Sequence, residues 1–134
     1  MGINLKRIAA AILLLVATQG ARAEGLQKIL GLSASDKGIV LVGTNDFTLY
    51  TFDKDVVGSG ASACNGQCAV IWMAAVVELE SVAAPLSLVV RDDGKKQLAY
   101  NGKPLYFYSK DLQPGDILGD NVFNVWHLAL LQVP

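Results

Sequence analysis

From residue 38 onward the chain is built of short β-branched and apolar runs separated by turn residues. "GIVLVG" (38–43) is followed by the turn residues "TND" and then by "FTLYTFD", which alternates around aromatic and β-branched side chains, so residues 39–53 are expected to form a hairpin. In "LSLVVRDDGKKQLAYNGKPLYFYS" two dipeptides, Asp93-Gly94 and Asn101-Gly102, separate strand-like runs. Both suit two-residue turns with positive φ and predict three antiparallel strands over about 86–92, 95–100 and 103–109. Pro104 has no N–H to donate and belongs at a strand start or on an edge. The closing run "NVFNVWHLALLQV" reads as a last strand entering the core. Residues 69–84 fit neither a helical nor an alternating template, so a short helical turn after Cys68 and then an extended segment are expected there. Residues 24–37 are a weakly patterned lead-in, with "SASD" marking a loop.

The stretch "NDFTLYTFDKD" (45–55) returns as "NGKPLYFYSKD" (101–111), matching Asn, Leu, Tyr, an aromatic, Lys and Asp. Each copy is followed by a glycine, Gly58 or Gly115, and further on by a tryptophan, Trp72 or Trp126. A segment too small to hide its own apolar face does so against a second copy. The expected fold is therefore all-β and mainly antiparallel. Two related β-meander halves, about 39–72 and 86–128, share one core, with at most a short helical turn after the cysteines. Residues 38–134 form a single β domain.

The N-terminus changes the picture of where this domain works. Lys6 and Arg7 precede the apolar run Ile8 to Ala17 and the small residues Ala21 and Ala23, the layout of a secretory signal peptide (1–23) cut before Glu24. The apolar run is shorter than the roughly 20 residues of a membrane-spanning helix. No membrane insertion is expected after cleavage, and no cysteine stands at the cleavage site to take a lipid. Cleavage leaves eight basic against 12 acidic residues, a net charge of −4. That balance argues against nucleic acid and against an anionic membrane surface as partners.

Cys64 and Cys68, in "ACNGQCA", are expected to form a disulfide, because an exported chain folds where thiols are not kept reduced. Asn65 and Gly66 favour the tight turn such a ring needs. A redox pair is the alternative, although such pairs usually have two intervening residues at a helix start in a βαβ pattern. The loop "DLQPGDILGDN" clusters Asp111, Asp116, Asp120 and Asn121; a solvated turn is the expectation there, with calcium as the alternative. His127 is the only histidine, expected to be packed and hydrogen-bonded, with haem or copper ligation together with Met73 as the alternative. No serine or cysteine nucleophile carries a recognisable motif. Catalysis is not the expectation, and no cofactor is predicted.

Tyr50-x-Phe52-x-x-Asp55 and Tyr106-x-Tyr108-x-x-Asp111 resemble the tyrosine, aromatic, aspartate motif of a bacterial family described as secreted repeats or predicted lipoproteins. The resemblance extends to "ACNGQCA" with Trp72, to "RDDGKKQLAYNGKPLY" and to "VWH", over about residues 38–128. It implies an envelope or extracellular location and an unassigned activity. Relatives often carry a lipid-accepting cysteine, absent here, and tend to have proline where this chain has Met73.

Alternation puts Tyr50 and Phe52 on one face of their strand and Tyr106 and Tyr108 on one face of theirs, with Leu49 and Leu105 opposite. One reading has the aromatics filling the core while each aspartate accepts N–H bonds in the next loop. A second has them lining a groove for a sugar, peptide or cationic ligand. A tyrosine hydroxyl bonded to the aspartate of the other copy fits either. The functional expectation is a non-catalytic module, periplasmic or extracellular, that meets an unknown envelope component or small ligand through its paired aromatic motifs. The alternative is a periplasmic redox, metal or haem protein using Cys64 and Cys68 or His127.

Overall fold

A computed structural model describes residues 29–133. The signal-peptide reading of residues 1–23 falls outside them. Ten short strands follow one another: β1 Gly31–Ser35, β2 Gly38–Val42, β3 Tyr50–Phe52, β4 Trp72–Ala74, β5 Val76–Val77, β6 Leu86–Val90, β7 Lys96–Tyr100, β8 Lys103–Pro104, β9 Tyr106–Tyr108 and β10 Trp126–Leu128. Among the described residues one short helix, α1 (Gln67–Ile71), and one 3-10 turn (Val122–Asn124) interrupt them. β1 pairs with β2; β10, β3, β9 and β4 form a four-stranded sheet in that order; β7 lies between β6 on one side and β5 and β8 on the other. All pairings are antiparallel. The helical turn expected after Cys68 is α1, which already contains Cys68, and β4 and β5 supply the extended segment that follows.

The two repeats are related by a pseudo-twofold visible in the backbone hydrogen bonds. Leu41 N–H donates to Ala129 O and Leu98 N–H to Ala75 O, both at 2.8 Å. Leu49 N–H donates to Leu41 O at 3.0 Å, and Leu105 N–H to Leu98 O at 2.9 Å. Asp53 N–H donates to Val125 O at 2.8 Å, and Ser109 N–H to Ile71 O at 2.9 Å. In the first and last of these pairs the bond crosses from one repeat to the other. A strand near the end of each repeat therefore joins the other's: β10 pairs with β3, and β4 with β9.

Alternation along β3 and β9 sends neighbouring side chains to opposite faces, and two clusters result. Tyr50, Tyr106, Tyr108, Trp72 and Trp126 pack on one face with Val40, Cys64 and Leu128. Leu41, Leu49, Leu98 and Leu105 pack on the other with Ala75, Leu86, Tyr100 and Ala129. The single shared core expected from sequence is thus a two-layered one, and each layer draws on both repeats. Leu49 is 1% exposed and Leu105 0%, so each contributes about 2 kcal/mol by area burial.

Several elements depart from expectation for local reasons. The lead-in contains a strand, β1, whose small residues carry little β-propensity; its register is set by the Val- and Ile-rich β2 across a turn at Asp36-Lys37. Ser35 Oγ closes that turn, accepting from Lys37 N–H at 3.1 Å and donating to Gly38 O at 2.7 Å. The 39–53 hairpin is accordingly reduced to the Val42–Thr48 bridge around a turn at 43–47, because β2 spends its ladder on β1 and β3 spends its own on β9 and β10.

Asn101 (φ 49°) and Gly102 (φ 78°) make the two-residue turn expected of them. Gly102 could carry no Cβ in any case, since one would stand 2.8 Å from Gly58 N. Asp93-Gly94 does not form such a turn. Arg91 N–H donates to Lys95 O and Gly94 N–H to Arg91 O, both at 2.9 Å, giving a three-residue loop with Gly94 alone at positive φ. The expected third strand, 103–109, breaks at Leu105 into β8 and β9, which belong to different sheets. The closing run begins with left-handed residues at Asn121, Phe123 and Asn124, so only Trp126–Leu128 enters the four-stranded sheet.

Leu49→Ala and Leu105→Ala should each destabilise the protein by about 2–5 kcal/mol in urea unfolding. Leu112→Ala, at a site 83% exposed, should change stability by less than about 0.5 kcal/mol.

Candidate functional site

β3 and β9 meet at a single register pair, Tyr50 opposite Tyr106. Around it the aromatic residues form one continuous column. Phe52 stacks on Trp126 at 4.1 Å, Trp126 on Trp72 at 3.8 Å, and Trp72 on Tyr108 at 4.0 Å, with interplanar angles of 9°, 4° and 17°. Tyr50 meets Trp72 edge-on at 5.5 Å and Tyr106 meets Trp126 edge-on at 5.2 Å. The twofold maps this column onto itself, exchanging Phe52 with Tyr108 and one tryptophan with the other. Such pairs add about 0.5–1.5 kcal/mol each beyond burial. The two tryptophans, from opposite repeats, cover one another's faces, and only Phe52 at one end of the column is half-buried rather than buried. The rings named from sequence as a ligand platform are therefore occupied by each other.

The hydroxyls of the motif tyrosines cross between repeats. Tyr50 Oη donates to Asp111 Oδ2 at 2.6 Å, and Tyr106 Oη donates to Asp55 Oδ2 at 2.6 Å. The second oxygen of each aspartate holds the far end of its own loop: Asp111 Oδ1 accepts from Leu118 N–H at 3.0 Å, Asp55 Oδ1 from Ala63 N–H at 2.7 Å. Each tyrosine oxygen has a further partner, Gly119 N–H at 3.2 Å for Tyr50 and the Ser62 hydroxyl at 2.7 Å for Tyr106. Gly119 lies so close to the column that a Cβ there would be 2.9 Å from both Trp72 and Tyr50. Six motif residues and two tryptophans thus lie in one assembly, in which each aspartate ties a loop of its own repeat to a strand of the other.

The electrostatics follow from burial. Both hydroxyls are pushed above the ordinary tyrosine value of 10.0, first by desolvation and then by the carboxylate that accepts their proton. Asp111, 6% exposed, is pushed up by burial, with the Tyr50 and Leu118 bonds opposing that rise.

Cys64 and Cys68 form a disulfide, with Cα atoms 5.2 Å apart. The ring is held by a residue that sequence patterning did not single out. Arg91 donates to Cys64 O at 2.7 Å and to Asn65 Oδ1 at 3.3 Å, and its other nitrogen donates to Gln97 Oε1 at 2.7 Å. Gln97, fully buried, passes the connection on to Leu105 O at 2.7 Å. The available signal was a polar Gln97 in a strand of otherwise buried residues. Cys64 Sγ lies in the aromatic layer, away from water.

His127 Nε2 stands 2.8 Å from Asp53 Oδ2 on the opposite face of β10 from Trp126. Met73 is on β4, the other edge strand of the same sheet, with β3 and β9 between. Three strand spacings of about 4.8 Å separate the two positions, so they do not converge on one ion. The acidic loop is tied up in backbone bonds: Asp116 Oδ2 accepts from Leu112 and Gln113 N–H, and Asp120 takes the Lys37 ammonium and Leu128 N–H. Burial opposes the ionisation of Asp120, but the Lys37 and Leu128 bonds together hold its carboxyl below the usual value. Among the described residues no group of three or more His, Cys, Asp or Glu could hold a metal ion.

The sequence model of a family described as a secreted repeat of unknown function matches this chain twice, over residues 31–76 and 87–129. The two matches coincide with the halves exchanged by the pseudo-twofold, and the first includes β1. No curated protein and no solved structure shows a significant match.

Tyr50→Phe leaves a buried carboxylate oxygen and the Gly119 N–H without their shared hydroxyl, and should cost about 1–3 kcal/mol in denaturant unfolding. The cost of Tyr106→Phe should be smaller, because Asp55 is less buried than Asp111. Since the fold holds both phenolic protons more tightly than the unfolded chain does, the stability these two hydroxyls contribute should be fully present below pH 10 and be lost as pH rises beyond it. The Tyr50→Phe/Tyr106→Phe variant should lose much of that alkaline slope, as read from unfolding midpoints across the range.

Proposed function

Because the chain belongs to the family of secreted repeats of unknown function, we propose that it is a non-catalytic exported module whose repeated motif is an internal clasp. The observation that carries this reading is the reciprocal pair of Tyr–Asp bonds around a self-filled aromatic column. Residues of this chemistry on an open surface would suggest ligand contact. Here the rings lie against one another and the hydroxyls are spent across the repeat boundary, so any envelope component or small ligand is met by surface outside the motif.

The export reading rests on the basic, apolar and small-residue layout of residues 1–23 and on a small disulfide suited to an oxidising compartment. No helix among the described residues is long and apolar enough to cross a membrane. The alternative of a redox or metal-linked protein finds less support: Cys64 is buried, its ring is fixed by Arg91, and His127 and Met73 stand on opposite edges of a sheet.

Intact-mass measurement of the protein recovered from outside the inner membrane should give a chain beginning at Glu24 and lacking two hydrogens at its cysteines. A chain retaining residues 1–23 in the membrane fraction, or one with two free thiols, would overturn the export reading. The clasp reading is tested separately by ligand-independent stability: mild reduction of the disulfide should leave cooperative unfolding intact, whereas Asp111→Ala should weaken it by about 1–3 kcal/mol.

A further inference from the structure

The pseudo-twofold offers an internal comparison, because the paired strands of one repeat have mates in the other on matching backbone. On the face of the four-stranded sheet away from the aromatic column, Thr51 of β3 lies directly opposite His127 of β10. Their mates, Phe107 of β9 and Met73 of β4, lie opposite each other in the same register. Asp53, beyond β3, has Ser109 as its mate, as their matching backbone bonds to Val125 and Ile71 show. The two sites therefore share one scaffold and differ in their chemistry. One carries Phe107, Met73 and Ser109; the other carries Thr51, His127 and Asp53.

The difference falls on a concave surface. A cavity of about 240 Å³ is lined by Thr51, Asp53, Asn101, Lys103 and His127, with Tyr100 among its apolar walls. The mate cavity is larger, at about 450 Å³; it is lined by Phe107, Ala75 and Val76 together with Asn45 and Glu78, and neither Met73 nor Ser109 lines it.

We propose that the Thr51, Asp53 and His127 face, with Lys103 and Asn101, is a binding site for a small neutral polyhydroxyl ligand of monosaccharide size. The cavity is smaller than the 300–1,000 Å³ typical of drug-sized ligands, which limits the guest to about one sugar ring. Its polar groups are mixed in kind. The His127–Asp53 bond uses Nε2 and leaves Nδ1 free, Lys103 makes no ion pair among the described residues, and Thr51 and Asn101 both donate and accept. Each hydroxyl of a sugar both donates and accepts, which suits such a set. One carboxylate, Asp53, and one ammonium, Lys103, line the cavity, which leaves no net positive field from these two groups to select an anion. This site goes beyond the clasp reading, which stands or falls on stability alone.

The test is NMR titration of the oxidised protein with glucose, N-acetylglucosamine and glycolate, following the His127 ring and the Thr51 and Asn101 amides. Saturable shifts at these three positions with at least one sugar are expected, with glycolate leaving them in place. Thr51→Phe and His127→Met install the side chains the mate site already accommodates, so the fold should persist while sugar affinity drops about tenfold or more, the order of one lost charge-assisted or buried contact. Should either fail to fold, His127→Gln carries the same reading. Shifts absent with both sugars, shifts with glycolate alone, or sugar binding unchanged in the folded variants would each overturn the proposal.

Discussion

A buried carboxylate must find its hydrogen-bond donors inside the protein, and in this chain each motif aspartate takes one donor from its own loop and one from the other repeat. Asp111 lies 6% exposed and takes the Tyr50 hydroxyl; Asp55 takes that of Tyr106. An isolated repeat would hold a tyrosine without its carboxylate acceptor, an aspartate with one oxygen lacking its hydroxyl donor, and half of an aromatic column. The penalty for leaving such groups buried and unpaired exceeds what an average hydrogen bond contributes, because desolvation is then uncompensated. Exchange between copies removes it for both aspartates at once.

The strand order enforces the same dependence at the level of the backbone. β4 and β10 each lie near the end of a repeat, and each pairs with the central strand of the other. Trp72 and Trp126 ride on these strands, so completing the sheets also brings the two indoles face to face at 3.8 Å. Sheet pairing, aromatic stacking and carboxylate satisfaction are consequences of one exchange. The loops after Asp55 and Asp111 then lie over the column, one closed by the disulfide and Arg91, the other by Gly119 resting on Trp72 and Tyr50.

Much of this was legible in the sequence. The repeat at an offset of 56 residues, the alternation that separates Leu49 and Leu105 from the tyrosines, and the turn at Asn101-Gly102 are period-2 and turn-chemistry signals that depend on near neighbours. What was not legible depends on partners far along the chain. β1 is a strand because β2 pairs with it, and its own small residues say little. Leu105 divides a run that reads as continuous, because β8 and β9 serve different sheets. Phe123 interrupts the last apolar run at φ 50°, a conformation that nothing in its composition announces. The Arg91–Gln97 connection needed the fold before its ends could meet, and the polar divergence at Thr51, Asp53 and His127 needed the twofold before it could be seen as divergence.

The most direct measurement separates the repeats. With a protease site placed between β5 and β6, cleavage of the folded protein should leave the two fragments associated, with a dispersed amide NMR spectrum. Each purified fragment alone should give the narrow dispersion of an unfolded chain, and mixing the two should restore the original spectrum. A fragment that kept native dispersion and unfolded cooperatively by itself would contradict the mutual dependence of the two halves.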